Sequence, residues 1–93
     1  MNNYVGLIKV TPEGHEHMPE AADVLKKTHS IIEGVGGKLV NIWAVMGEYD
    51  FVAFVQYPSD LAAFEAVTKM AELRYFTTET LPAFEIERFL TFV

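Results

Sequence analysis

The chain has 93 residues, the length of one small domain. Half of it (51%) is hydrophobic and 22% is charged, which excludes a disordered chain and predicts a packed fold. The formal net charge of −6 argues against nucleic acid or an anionic membrane as a partner, and the absence of cysteine excludes disulfides, a thiol nucleophile and a zinc ribbon.

The first third of the chain predicts a strand, a loop and a long helix. Residues 4–10 form an apolar, β-branched run that is typical of a buried strand. The segment from Pro12 to Pro19 is polar and carries two prolines, so we expect a loop or an irregular turn there. After Pro19, apolar residues recur at helical spacing as far as Val35, where neighbouring glycines end the pattern.

A hairpin is predicted in the middle of the chain. Residues 38–46 and residues 51–57 each have the composition of a strand. Gly47-Glu48-Tyr49-Asp50 lies between them and consists largely of turn-forming residues.

The last third predicts a second helix and a fourth strand. Pro58-Ser59-Asp60 supplies helix-capping chemistry, and the apolar residues that follow recur at helical spacing to Ala71. Residues 74–83 predict a strand, whereas residues 85–93 fit either a helix or a strand. The order β-α-β-β-α-β over residues 1–93 predicts a single ferredoxin-like α+β domain, with a four-stranded antiparallel sheet and both helices on one face.

The other face of this sheet is expected to be uncovered. Side chains alternate between the two faces of a strand, and this alternation assigns mostly apolar residues to the open face. The assigned residues are Val5, Leu7, Lys9, Leu39, Asn41, Trp43, Val45, Val52, Phe54 and Gln56. Such a face is too apolar for water, so we expect a second copy to pack sheet to sheet, giving a homodimer or a higher even oligomer. The apolar tail, residues 86–93, is expected to lie along the partner's sheet edge or to cap the end of the shared cavity.

Three segments resemble the GYD-domain family. Gly47-Glu48-Tyr49-Asp50-Phe51-Val52 is similar to its G-x-Y-D signature. Gly36-Gly37-Lys38, and Thr78-Glu79-Thr80-Leu81 with Ala83-Phe84, extend the resemblance over nearly the whole chain. The resemblance implies the fold and assembly of the dimeric α/β-barrel superfamily, but no reaction. The segment after Thr11 departs from the family pattern.

The polar residues of the open face are the candidate ligand-binding residues. Lys9, Asn41, Trp43 and Gln56, together with Phe54, would line a cavity between two paired sheets. Lys9 either binds an anion there or forms a salt bridge with Asp50 or Glu79 at the dimer seam. Trp43 beside Asn41 permits comparison with cofactor-independent oxygenases of the superfamily, although interface packing is the more common role of such a tryptophan.

Two further groups each allow two interpretations. Tyr49 and Asp50 are either a hydrogen-bonding or proton-transfer pair at the mouth of a cavity, or ordinary turn residues, and turn chemistry favours the second. His15-Glu16-His17 contains imidazoles that suit a first-row metal, but a closed site would need further ligands. A solvated loop without metal is the interpretation that we favour for His15 and His17.

No P-loop, dinucleotide-binding glycine pattern or catalytic triad order is present, so no cofactor is predicted. Without a signal peptide or a long apolar run, the chain is predicted to be cytoplasmic. The function we expect is a homodimeric domain that binds a small organic ligand between its sheets. The alternatives are a cofactor-independent oxygenase-like enzyme and a purely structural or regulatory interaction module.

Overall fold

Four β-strands form one antiparallel sheet in a computed structural model that describes all 93 residues. In chain order the strands are β1 (Asn2–Val10), β2 (Lys38–Ala44), β3 (Phe51–Tyr57) and β4 (Phe76–Ala83). Their order across the sheet is β2-β3-β1-β4, so β1 and β3 are central and the other two are edges. The predicted α+β class, the four-stranded antiparallel sheet and the hairpin between β2 and β3 are confirmed.

Four α-helices accompany the sheet. In chain order they are α1 (Pro12–Glu16), α2 (Ala21–Gly34), α3 (Asp60–Ala71) and α4 (Ile86–Leu90). The two long helices, α2 and α3, are those that the apolar spacing predicts, and the tail, for which a helix and a strand both fitted, is helical in α4. None of the helices combines the length and the apolar composition that a membrane span requires.

The prediction of a loop or an irregular turn between Pro12 and Pro19 is wrong, because the segment is mostly helical. Helix α1 occupies the start of this segment, and a 3-10 turn over Met18–Glu20 leads into α2. Thr11 caps α1, because its hydroxyl accepts a hydrogen bond from the Gly14 amide at 3.0 Å. Pro12 lies in the first turn, where a helix does not need the missing N–H. Pro12 and Pro19 therefore each lie in the first turn of a short helical segment.

A β-bulge in β2 changes the faces that simple alternation assigns. Leu39 pairs with Val55, but Asn41 pairs with Phe54, so Val40 is an extra residue in the ladder. Leu39 consequently packs against the core on the helix side. Its predicted place on the open face beside Trp43 is wrong, because one inserted residue reverses the alternation before it.

A small core joins the sheet to α2 and α3. Its buried members come from the two central strands and the two long helices. They are Tyr4, Ile32, Ala53, Val55, Tyr57, Ala63, Ala66 and Met70. The rings of Tyr4 and Tyr57 pack edge to face at 5.4 Å, and the Tyr4 hydroxyl donates to Asp60 at the start of α3. This contact ties the first strand to the second long helix.

The Tyr57 phenol sets an alkaline limit on the stability of this core. Burial, with a smaller effect of Tyr4, raises the pKa of Tyr57 from 10.0 to about 12. The folded state thus retains the phenol proton more strongly than the unfolded state does. This difference adds up to about 3 kcal/mol to the free energy of unfolding below pH 10, and the contribution is lost as the pH rises toward 12. We expect the free energy of unfolding in urea to fall over this range, and to fall less in Tyr57→Phe. Equal pH slopes for the two proteins would contradict this assignment.

The face of the sheet opposite α2 and α3 is apolar and exposed. Trp43 and Phe54 lie there with their rings edge to face at 5.5 Å, and they are 46% and 42% exposed. The whole chain exposes 6439 Å², whereas a folded monomer of this size exposes about 5,400 Å². Its radius of gyration of 13.8 Å also exceeds the value of about 12.3 Å for a compact domain. The single chain therefore has more solvent-accessible surface than a compact monomer of its size.

Candidate functional site

A cavity of about 400 Å³ lies between the sheet and its helices. Of the 25 residues that line it, 19 are hydrophobic. They come from all four strands, from α2 and α3, and from the segment around α1. The size and the apolar lining are those of a small-molecule site. This cavity is on the helix side of the sheet, whereas the sequence predicts one between two paired sheets.

Small residues make the floor of the cavity. Gly6 on β1 has Ala53 on β3 and Thr80 on β4 as its neighbours across the sheet. A Cβ atom added to Gly6 would meet only the Cβ of Ala53, at an ordinary distance of 3.8 Å. The space above Gly6 is therefore empty, because no side chain from the helices fills it.

The cavity opens beside the N-terminal part of α2. Met18 and Leu25 both line the cavity, yet each remains more than 40% exposed. Two large apolar side chains that line a cavity and also contact water mark its mouth. Thr28 also lines the cavity, and its hydroxyl donates a hydrogen bond to the Val24 carbonyl at 2.9 Å.

Few polar groups line the cavity. His17 is at the mouth, with Nδ1 3.0 Å from Oε2 of Glu20 and its ring centre 5.1 Å from that of Tyr75. On the floor, Thr78 and Thr80 of β4 make no side-chain hydrogen bond within the chain. None of the lining residues is an aspartate, glutamate, lysine or arginine. The cavity thus offers a largely neutral interior with hydrogen-bonding groups at two places.

The structure brings Lys9 and Tyr49 together on the opposite, open face. Lys9 Nζ lies 3.6 Å from Oε1 of Glu48 and 5.5 Å from the centre of the Tyr49 ring. The Tyr49 hydroxyl donates to Glu79 at 3.0 Å, and this hydrogen bond raises the pKa of Tyr49. Within one chain, the carboxylate nearest to Lys9 is therefore Glu48, and the expected partners Asp50 and Glu79 have other contacts.

Asp50 holds the hairpin against β1. Its Oδ2 accepts a hydrogen bond from the Val10 amide at 2.7 Å, and its own amide donates to the Ile8 carbonyl at 2.8 Å. A carboxylate occupied in this way has the geometry of the turn interpretation, since it fixes a loop to a strand. Asp50 and Tyr49 do not bond to each other, because Tyr49 reaches across β1 to β4.

The other candidates of the open face remain dispersed. Gln56 donates to Asn3 at 3.1 Å, Trp43 packs on Phe54, and the side chain of Asn41 is exposed. They share a face but form no enclosed site within one chain.

The two predicted candidate metal ligands are also apart. His15 is exposed and does not line the cavity, whereas His17 does. No group of three or more histidine, cysteine, aspartate or glutamate side chains is arranged to hold a metal ion.

The residues that line the helix-side cavity are not predicted as a site from the sequence. Gly6 in the middle of an otherwise bulky strand is the available signal, since glycine in a strand often marks a close approach or a space. The alternation of Thr78, Glu79 and Thr80 is a second signal, because it sends two hydroxyls to the helix side and the carboxylate to the open face.

Comparison with known proteins gives a family match and a structural match. A family model described as the GYD domain matches residues 4–93. The crystal structure of TTHA0845 from Thermus thermophilus superposes with a TM-score of 0.59 at 23% sequence identity, covering 91% of this chain and 95% of that chain. That likeness concerns the fold. A search of the curated proteins finds no match.

Proposed function

The chain belongs to the GYD domain family, and from this premise we propose that it is a homodimeric domain that binds a small, largely apolar organic molecule. The observation that carries the proposal is the 400 Å³ cavity between helices and sheet. Sites for small molecules are commonly concave, apolar and between about 300 and 1,000 Å³ in volume, with a few polar groups that fix orientation. The cavity meets each of these criteria.

The unfilled space at the cavity floor supports a ligand-binding role for the cavity. Protein interiors are normally filled to crystal-like density, and a void of this size costs stability. Gly6 and Ala53 nevertheless leave the centre of the sheet bare where larger apolar residues would fill it. A bound molecule that fills the space would recover the lost contacts, so the cavity favours occupancy by a ligand.

The proposed assembly pairs two copies through the open face. We propose that each chain has the ferredoxin-like arrangement, which the order of its elements and of its strands supports. Two such sheets packed face to face would form a dimeric α/β barrel and cover Trp43 and Phe54. The exposed apolar residues of α4 and the last three residues would then pack on the partner. The ligand site of this proposal lies within each chain, whereas an additional cavity between the sheets stays a prediction.

A cavity-filling substitution tests the binding function. Gly6→Leu places a large side chain in the space above the floor, and we expect it to weaken binding of 1-decanol, a neutral apolar probe, at least tenfold by isothermal titration calorimetry. Gly6→Ala is the matched control, because its Cβ makes only an ordinary contact and leaves most of the space free.

Folding of both variants is checked by circular dichroism and thermal unfolding. A folded Gly6→Leu protein that binds 1-decanol as tightly as the parent would contradict the location of the site. A parent protein that binds no apolar probe would contradict the proposed function itself.

A further inference from the structure

His17 is the one histidine among the residues that line the cavity. His17 at its mouth is 40% exposed, and no carboxylate, lysine or arginine lines the cavity. A ligand with an ammonium group would therefore find no counter-charge among the lining residues, and burying an unpaired charge is costly. The lining residues therefore favour a neutral or acidic ligand over a cationic one, since the nearby Glu20 carboxylate pairs with His17 and does not line the cavity.

His17 is held in place from two sides. Nδ1 faces Oε2 of Glu20 at 3.0 Å, and the ring packs at a tilt of 50° on Tyr75. The carboxylate of Glu20 accepts from the Nδ1–H, which leaves Nε2 as the ring nitrogen without a partner in the chain. This imidazole at the mouth of the cavity therefore has one nitrogen available to form a hydrogen bond with a polar group of a ligand.

The chemistry of that nitrogen defines the polar group. Neutral Nε2 accepts a hydrogen bond from an acidic O–H, and if the proton moves to Nε2, the protonated ring donates the same bond to the resulting carboxylate. One proton is shared in both cases, and no other reactant is needed. Glu20 balances the positive charge of the ring in the second case.

The arrangement of the mouth and floor orients the rest of the molecule. Met18 and Leu25 surround the mouth with apolar surface, and the empty space above Gly6 lies deeper, next to Ala53. An apolar body would enter this space while its acidic head stays beside His17. We infer that the ligand is an apolar carboxylic acid whose head group is bound by His17, an inference that rests on the proposed binding function.

A second histidine of the chain provides a matched control. His29 Nε2 lies 2.8 Å from Oε1 of Glu33 on α2, an imidazole–carboxylate pair of the same kind. Neither residue lines the cavity. A substitution of His29 therefore removes a similar pair without touching the proposed site.

The test compares three ligands with the same ten-carbon chain: decanoate, 1-decanol and decylamine. Isothermal titration calorimetry with the full-length protein is expected to show decanoate binding about tenfold more tightly than 1-decanol, the effect of one partly exposed charge-assisted hydrogen bond. Decylamine is expected to bind weakest. In His17→Gln the preference for decanoate over 1-decanol should disappear, whereas His29→Gln, which lies outside the cavity, should retain the preference. Glu20→Gln should reduce it.

The binding results distinguish a failure of the His17 inference from a failure of the proposed function. Equal binding of decanoate and 1-decanol, or a preference that survives in a folded His17→Gln protein, overturns the role of His17 and leaves the cavity as an apolar site. If none of the three compounds binds, the proposed function fails and this inference fails with it.

Discussion

Replacement of Phe54 by glutamate is expected to convert the proposed homodimer into a monomer. Phe54 lies on a central strand of the sheet, packs edge to face on Trp43 and remains 42% exposed in the single chain. In a sheet-to-sheet dimer a glutamate here would bury an unpaired charge in each subunit. Breaking or creating an uncompensated buried charge typically costs about 3–5 kcal/mol, so the dissociation constant should rise by a factor of about 1,000 or more.

Sedimentation velocity at micromolar concentration measures this change. Leu61→Glu is the matched control, because Leu61 is 76% exposed on α3, away from the open face. The control should remain a dimer. A parent protein that sediments as a monomer, or a folded Phe54→Glu variant that stays dimeric, would contradict pairing through the open face.

Gly14→Ala is expected to cause the largest loss of stability among single substitutions of glycine. A Cβ at Gly14 would lie 2.0 Å from the Tyr75 carbonyl oxygen and 2.7 Å from Cγ1 of Val10, so the backbone of α1 would have to move. The same Tyr75 oxygen accepts from the Thr11 amide at 3.0 Å, and this anchor would be disturbed as well. We expect a loss of about 3 kcal/mol or more, a large share of the stability of so small a domain.

Urea unfolding measures this loss, and Gly34→Ala is its matched control. A Cβ at Gly34 in the last turn of α2 meets no atom within 4 Å, and alanine favours a helix over glycine. The control should therefore be neutral or more stable by up to about 1 kcal/mol. Equal stabilities for the two variants would show that α1 does not pack against Tyr75 as described.

The strands and long helices of the fold are predicted by local sequence patterns, such as turn residues and helix caps. Strand β3 was predicted over residues 51–57 and is observed over the same span, because a turn-rich segment precedes it and Pro58 follows it. Helix α3 begins after Ser59, whose hydroxyl accepts from the Ala62 amide at 3.1 Å, as capping chemistry predicts. Such signals lie within a few residues of the element that they define.

The features that were missed depend on contacts between distant segments. The bulge at Val40 places Leu39 on the helix side, and nothing in the local alternation marks it. Helix α1 depends on Thr11 and on the fit of Gly14 against Tyr75, which is 61 residues away in the chain. Polar composition alone predicted a loop there, since a five-residue helix offers too few turns for an apolar pattern.

The candidate site was predictable only in part. Alternation correctly grouped Lys9, Trp43 and Phe54 on the open face, and the structure adds the contacts of Lys9 with Glu48 and Tyr49. The helix-side cavity was not predicted, because its volume depends on how far α2 stands from the sheet. No spacing of residues within one element encodes that distance.

Methyl NMR of the protein during titration with decanoate tests the central claim most directly, since methyl groups line both the cavity and the open face. We expect chemical-shift changes and ligand contacts for the methyl groups of Ala53, Leu25 and Thr80 on the cavity side. We expect none for Val5 and Val52 on the open face. Ligand contacts confined to Val5 and Val52 would contradict the helix-side site and would place the molecule between the paired sheets instead.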